Sequence, residues 1–146
     1  MISEKRLKRY YEKIAHAEKR ISQINEWIAG YTEKDFVNDE KTKLAVYKAF
    51  QEAVESIMDI IAMMCKDEGI PPRDDYMNIE ALHEAGLINE ALREKLVEAN
   101  GLRNRLVHHY NKLSDEKAFQ SILELLDSLL KTLDGVREWI TEKLEK

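Results

Sequence analysis

Hydrophobic positions recur at alternating spacings of three and four along most of this chain, the period of a helix with one face turned inward. The first run is Leu7, Tyr10, Ile14, Ala17, Ile21, Ile24, Ile28 and Tyr31, opened by Ser3 as an N-cap and closed around Gly30 and Thr32. Asp35-Phe36-Val37-Asn38-Asp39-Glu40 then reads as a polar turn with one anchoring aromatic, its acids suited to the positive end of the next helix. The second long helix carries Tyr47, Phe50, Val54, Ile57, Ile61 and Met64 on one seam, widened by Val46, Ala53 and Ile60. A stripe this broad must touch more than one neighbour. Met58, Met63 and Met64 fall at helical spacing and read as core rather than as a soft binding surface.

Gly69-Ile70-Pro71-Pro72 is the one strong break, because the first proline disfavours helix at Ile70 and neither ring supplies an amide donor. It is too short for a domain linker and predicts a corner. Residues Asn78 to Ala85 leave room for a short helix stopped by Gly86, and the next helix turns Leu92, Leu96 and Ala99 inward. Ser114 or Asp115 can cap a final helix, where Phe119, Ile122, Leu126, Leu129, Leu133, Val136 and Ile140 form the third long stripe. Three long and two shorter helices predict an all-α fold, an antiparallel helical bundle of about five helices with pairs crossing at about 20 degrees.

Composition narrows the function. At 146 residues the chain suits a single domain, 1–146, with a real core. A net charge of −5 argues against indiscriminate coating of nucleic acid, which needs a broad basic face, but leaves room for a small basic pocket. Cys65 is the sole cysteine, so one chain can build neither a disulfide framework nor a thiolate-rich metal site, and the thiol reads as a small buried hydrophobe. Met1 to Tyr11 is charged throughout, unlike a secretory signal, and no apolar run is long enough to span a bilayer. These features predict a cytoplasmic protein without a membrane partner.

One stretch departs from scaffold: Gly101-Leu102-Arg103-Asn104-Arg105-Leu106-Val107-His108-His109-Tyr110-Asn111-Lys112. It has no carboxylate from Arg103 to Lys112, in a chain with 28 acidic and 23 basic residues. Fixed cations, imidazoles and a phenol in one segment can hold a phosphate, move a proton and offer a hydroxyl. His16 and His83, by contrast, read as surface or partly buried side chains.

The spacing Arg-x4-His-x-Tyr, filled by Arg103, His108 and Tyr110, resembles the signature of HEPN-superfamily ribonucleases and in particular of the HepT-like toxins. Asn104 occupies the polar position that follows the arginine in HEPN proteins. Arg103-Asn104-Arg105-Leu106-Val107-His108 and the segment from Asp35 to Glu40 also resemble the HepT wording, so the likeness runs from the first helix to the last. His109 falls at a variable position and takes no role. The resemblance implies a HEPN-like bundle and a metal-independent endoribonuclease toxin of a type II toxin–antitoxin system, acting on RNA as a homodimer with both motifs facing one cleft. It also implies a partner, a minimal MntA-like nucleotidyltransferase antitoxin that silences the toxin by transferring AMP to the motif tyrosine, here Tyr110. No resident cofactor or metal is implied.

The residues can be weighed without the family. Five residues of helix turn through about 500 degrees, leaving Arg103 and His108 about 140 degrees apart, whereas Arg103 and Tyr110 nearly align. One straight helix cannot aim all three at one small target. Either the helix frays before His108 or a second chain completes the site. RNA cleavage needs a base for the 2′-hydroxyl, an acid for the departing 5′-oxygen and a cation for the charge on phosphorus. A histidine, titrating ordinarily near about 6.5, can do the proton work. The forked Arg103 guanidinium fits phosphate oxygens. Arg105 and Lys112 are candidate phosphate contacts, Asn104 an accessory that orients Arg103 or His108 or touches the phosphate. A 2′-hydroxyl requirement would exclude DNA.

Duller readings exist: Arg103 paired with Glu94 or Glu98, Asn111 as a cap, Tyr110 as a core aromatic. The alternative function is a non-catalytic binding or substrate-positioning subunit of a nucleotidyltransferase complex, and a third is a purely structural helical dimer. Nucleotidyltransferase features, such as a Gly-Ser turn followed by paired aspartates, are absent from the sequence.

Overall fold

The structure, a computed structural model, describes residues 2–108 and 112–146 and consists of helices. Six are defined: α1 (Glu4–Trp27), α2 (Glu33–Asn38), α3 (Glu40–Asp67), α4 (Asp75–Glu84), α5 (Glu90–His108) and α6 (Asp115–Leu144). The all-α bundle expected from the hydrophobic period is what forms, with one helix more than the five expected. The addition is α2, where the sequence suggested only a turn. Thr32 and Asp35 close a reciprocal capping box around its first turn, at 3.0 and 3.1 Å, which satisfies two amides that would otherwise be orphaned. Phe36 anchors it, fully buried and stacked on Phe119 at 4.6 Å.

Side-chain pairs give the directions of the long helices. Arg6 meets Asp67, Lys13 meets Asp59 and Arg20 meets Glu52, so α1 runs antiparallel to α3. Lys43 meets Asp115 and Glu68 meets Lys143, so α3 and α6 run the same way. The return is made by α4 and α5, an antiparallel hairpin in which Arg93 pairs with Glu80. Both corners of that hairpin use a glycine. Gly69 and Gly86 adopt positive φ, and the amides of Ile70 and Leu87 reach back to the Cys65 and Leu82 carbonyls at 2.8 and 2.9 Å. The interior collects the three predicted stripes: nearly all of their residues are buried, together with Met58, Met63, Met64 and Cys65. Burial raises the Cys65 thiol pKa, away from the reactive range.

Helix α4 starts at Asp75, three residues before the expected Asn78, because Asp74 caps it by accepting from the Met77 amide at 2.8 Å. Asn78 is buried and locks the preceding corner, accepting from the Arg73 amide at 2.7 Å and donating to its carbonyl at 3.2 Å. The early start places Asp75 and Tyr76 opposite the end of α5.

Candidate active site

Arg103 projects from the last turns of α5 toward α3 and α4. Its Nη1 donates to Asn104 Oδ1 at 2.8 Å, its Nη2 lies 3.8 Å from Asp75 and its Nε lies 3.8 Å from Glu55. Pairing with Glu94 or Glu98 along the same helix, considered from sequence, is not what forms. Asn104 in turn donates to Tyr76 Oη at 3.4 Å, so its amide links the arginine to the tyrosine of α4. Asp75, Tyr76 and Glu55 were not singled out from sequence. The only signal for the first two was the Asp74-Asp75 pair, a cap followed by an acid in a first helical turn.

The pairing around Arg103 is loose. Its side chain is 20% exposed, and both carboxylates stand beyond hydrogen-bonding distance. Among the described residues, Asn100 Oδ1 and Arg103 Nε are the buried side-chain polar atoms that lack a hydrogen-bond partner. They are three residues apart on one helix, hence on neighbouring faces. Buried polar atoms are normally satisfied, and two orphans side by side mark a place where packing has not been optimised for stability alone. Burial also pushes the Asp75 carboxyl above its usual range; Arg103 pulls it down, while Asp59, Asp74 and Glu55 push it up.

His108 is the last residue of α5 and is exposed. The helix therefore does not fray before it, one of the two alternatives left open by the spacing. Within one chain Arg103 and His108 point about 140 degrees apart around the helix axis. Tyr110 lies outside the described residues, as do His109 and Asn111. Arg105 and Lys112 are exposed and line a separate hollow on the α6 side, so the motif's cations are divided between two faces of α5. His83 and His16 are partly buried, as expected, and each makes a polar contact. His83 Nδ1 hydrogen-bonds the Ile88 carbonyl at 3.0 Å, and His16 Nε2 lies 3.2 Å from Glu52. No cluster of three or more His, Cys, Asp or Glu side chains suited to a metal ion occurs among the described residues, and no described helix is long and apolar enough to cross a membrane.

Residues 17–136 match the family model described as ribonuclease HepT-like. A protein of Archaeoglobus fulgidus named "Putative RNase" is 39% identical over 143 residues, spanning 96% of this chain and 98% of its own. A second A. fulgidus protein of the same name is 38% identical over 120 residues, spanning 82% of this chain and 85% of its own. Among solved structures, the tri-AMPylated Shewanella oneidensis HEPN toxin in complex with MNT antitoxin superposes with a TM-score of 0.81 at 22% identity, covering 89% of this chain and 97% of that one. YutE of Bacillus subtilis, a cytosolic protein of unknown function, superposes with a TM-score of 0.79 at 15% identity, covering 94% and 92%. At these identities the two structures bear on the fold.

Proposed function

The chain belongs to the HepT-like ribonuclease family, and from that premise we propose that it is a metal-independent endoribonuclease, the toxin of a type II toxin–antitoxin pair working in the cytoplasm. The observation that carries this reading is Arg103: a mostly buried guanidinium on the family's motif helix, aimed by Asn104 and loosely flanked by two carboxylates, with Nε unsatisfied. A purely structural arginine would be closed by short bonds, as Arg6 is by Asp67 and the Met63 carbonyl at 3.0 and 3.1 Å. Arg103 keeps donors for a phosphate oxygen.

The helical course of α5 through His108 favours a site completed by a second copy of the chain. One His108 takes the proton of the ribose 2′-hydroxyl, whose oxygen attacks phosphorus. The bond from phosphorus to the 5′-oxygen breaks, and the other His108 protonates that oxygen. Arg103 holds the phosphate and balances its growing charge, worth several kcal/mol in a site closed to water. The products are a 2′,3′-cyclic phosphate and a free 5′-hydroxyl. DNA, lacking the nucleophile, is not cut. Arg105 and Lys112 serve as phosphate contacts beyond the reacting centre.

Control is assigned to a nucleotidyltransferase antitoxin that transfers AMP to Tyr110, seven residues from Arg103. The added phosphate would bring negative charge close to the guanidinium and the nucleotide would fill the cleft. The complex of the Shewanella HEPN toxin with its MNT antitoxin supports this partnership by analogy.

The test is incubation of AMP-free protein with labelled mixed-sequence RNA in EDTA, beside Arg103→Ala and His108→Ala. Cleavage by the parent protein alone, leaving cyclic phosphate ends, is expected. Absence of cleavage by folded, unmodified protein would instead make the chain a non-catalytic partner of a nucleotidyltransferase. AMP-modified protein should cut far more slowly, and equal rates would refute control at Tyr110.

A further inference from the structure

A hollow of about 480 Å³ opens between the end of α5 and the start of α6. Arg105, Lys112 and Lys117 line it with Ser121, over a floor formed by the buried Leu102 and Ala118. No carboxylate lines it among the described residues, although the chain carries a net charge of −5. Nor is the charge of its three cations offset from outside the hollow: among the described residues, no carboxylate lies within 4 Å of Arg105, Lys112 or Lys117. The acids closest in sequence are engaged otherwise: Asp115 accepts from Tyr47 at 2.5 Å and Lys43 at 3.0 Å, and Glu116 accepts from Ser114 Oγ at 3.3 Å. Three like charges gathered in a concave site without counter-ions repel one another, a cost that an anionic ligand reverses.

The hollow also adjoins the candidate active site. Arg105 Nη1 and Tyr76 Oη lie 3.6 and 3.7 Å from the point where a Cβ on Gly101 would stand. The guanidinium of Arg105 is therefore within about twice that distance of the hydroxyl that Asn104 bonds, and Asn104 bonds Arg103. The network of Arg103, Asn104 and Tyr76 thus lies beside Arg105, which shares the hollow with Lys117.

We infer that this hollow is a subsite for the phosphodiester backbone of single-stranded RNA, holding the strand as it leaves the cleavage site. It rests on the ribonuclease reading above and adds a residue outside the motif, Lys117 of α6, to the substrate-binding set. Flexible lysines and a hydroxyl grip phosphate without reading bases, so the subsite contributes affinity and direction rather than sequence preference. Its size accommodates a nucleotide unit.

The experiment measures binding of a fluorescein-labelled mixed-sequence single-stranded RNA, by anisotropy across a salt series, to His108→Ala protein with and without Lys117→Ala. Lys131→Ala, which removes the same charge from the same helix where Asp127 pairs it at 3.1 Å, serves as control. Lys117→Ala should weaken binding about fivefold and make the plot of log affinity against log salt shallower by about 0.7, while Lys131→Ala changes neither. Lys117→Arg should restore both. Equal affinity and slope for Lys117→Ala and its parent overturn the subsite, as does RNA binding too weak to measure in the parent. Saturable AMP binding lost in Lys117→Ala with RNA binding unchanged would make it a free-nucleotide pocket and overturn the inference too. Parallel cleavage assays on chains retaining His108 separate the two readings. Lys117-dependent binding without cleavage sinks the ribonuclease and keeps the subsite; cleavage with Lys117-independent binding does the reverse.

Discussion

Asp75 shows how one residue's environment carries functional information that its identity does not. Its carboxyl is raised chiefly by burial, and the opposing pull of Arg103, 3.8 Å away, does not cancel this. A raised folded-state pKa means that the stability tied to this group is fully present below its ordinary value of 3.8 and is lost as pH rises through the folded midpoint. Asp75→Asn should therefore gain stability relative to the parent as pH rises from about 3.5 to about 7, read by urea melts at each pH. A constant difference across the series would contradict the assignment. The same substitution removes one of the two carboxylates flanking Arg103, so its RNA cleavage should change where its fold does not. The motif spacing exposed Arg103, Asn104 and His108 as candidates because it is a local pattern. Glu55, 48 positions earlier by number, reaches Arg103 only because α3 and α5 pack together.

At the level of elements, two local devices decide whether the bundle closes correctly. Helix α2 has six residues, too few to be stable alone, and is held by its capping box and by Phe36 among Tyr47 and Phe119. Phe36→Ala should cost about 3–5 kcal/mol in a denaturation midpoint experiment, since the vacated space is walled by rigid rings. A loss below about 1 kcal/mol would mean that α2 collapses onto the gap. The second device is Glu68, the C-cap of α3, which accepts from Trp139 Nε1 at 3.2 Å and pairs with Lys143 of α6 at 2.5 Å. The Lys143 hydrogen bond, more than the Trp139 one, holds its pKa below the ordinary 4.5. That stabilisation is present above 4.5 and disappears as pH falls through the lowered midpoint. Glu68→Gln should thus be less stable than the parent by about 1 kcal/mol near neutrality and indistinguishable from it in acid. Melting curves at both ends of the range decide this.

For the whole molecule, the question is how many chains make one site. Arg103 and His108 face different directions from a helix that stays regular to its end. If one cleft takes a His108 from each copy, parent protein left to exchange subunits with an excess of His108→Ala protein forms dimers holding a single His108. Such mixtures should cut RNA far more slowly than their content of parent chains predicts, while sedimentation reports dimers throughout. Cleavage that simply follows the amount of parent chain, or a parent that sediments as a monomer while cutting RNA, would place the whole site in one chain.

The sequence by itself determined the helices, their inward stripes, the corners at Gly69 and Gly86 and the motif with its spacing, because each depends on residues within a turn or two of one another. It did not disclose α2, whose existence rests on a capping box and one aromatic rather than on a repeated period. Nor did it disclose the early start of α4, which brought Asp75 and Tyr76 to the site. Only the tertiary structure decided what surrounds Arg103, that α5 stays helical to His108, and that Lys117 shares a hollow with Arg105. Those facts depend on which faces of α3, α4, α5 and α6 meet, and many arrangements of the same stripes would bury the same apolar surface while bringing different polar residues together.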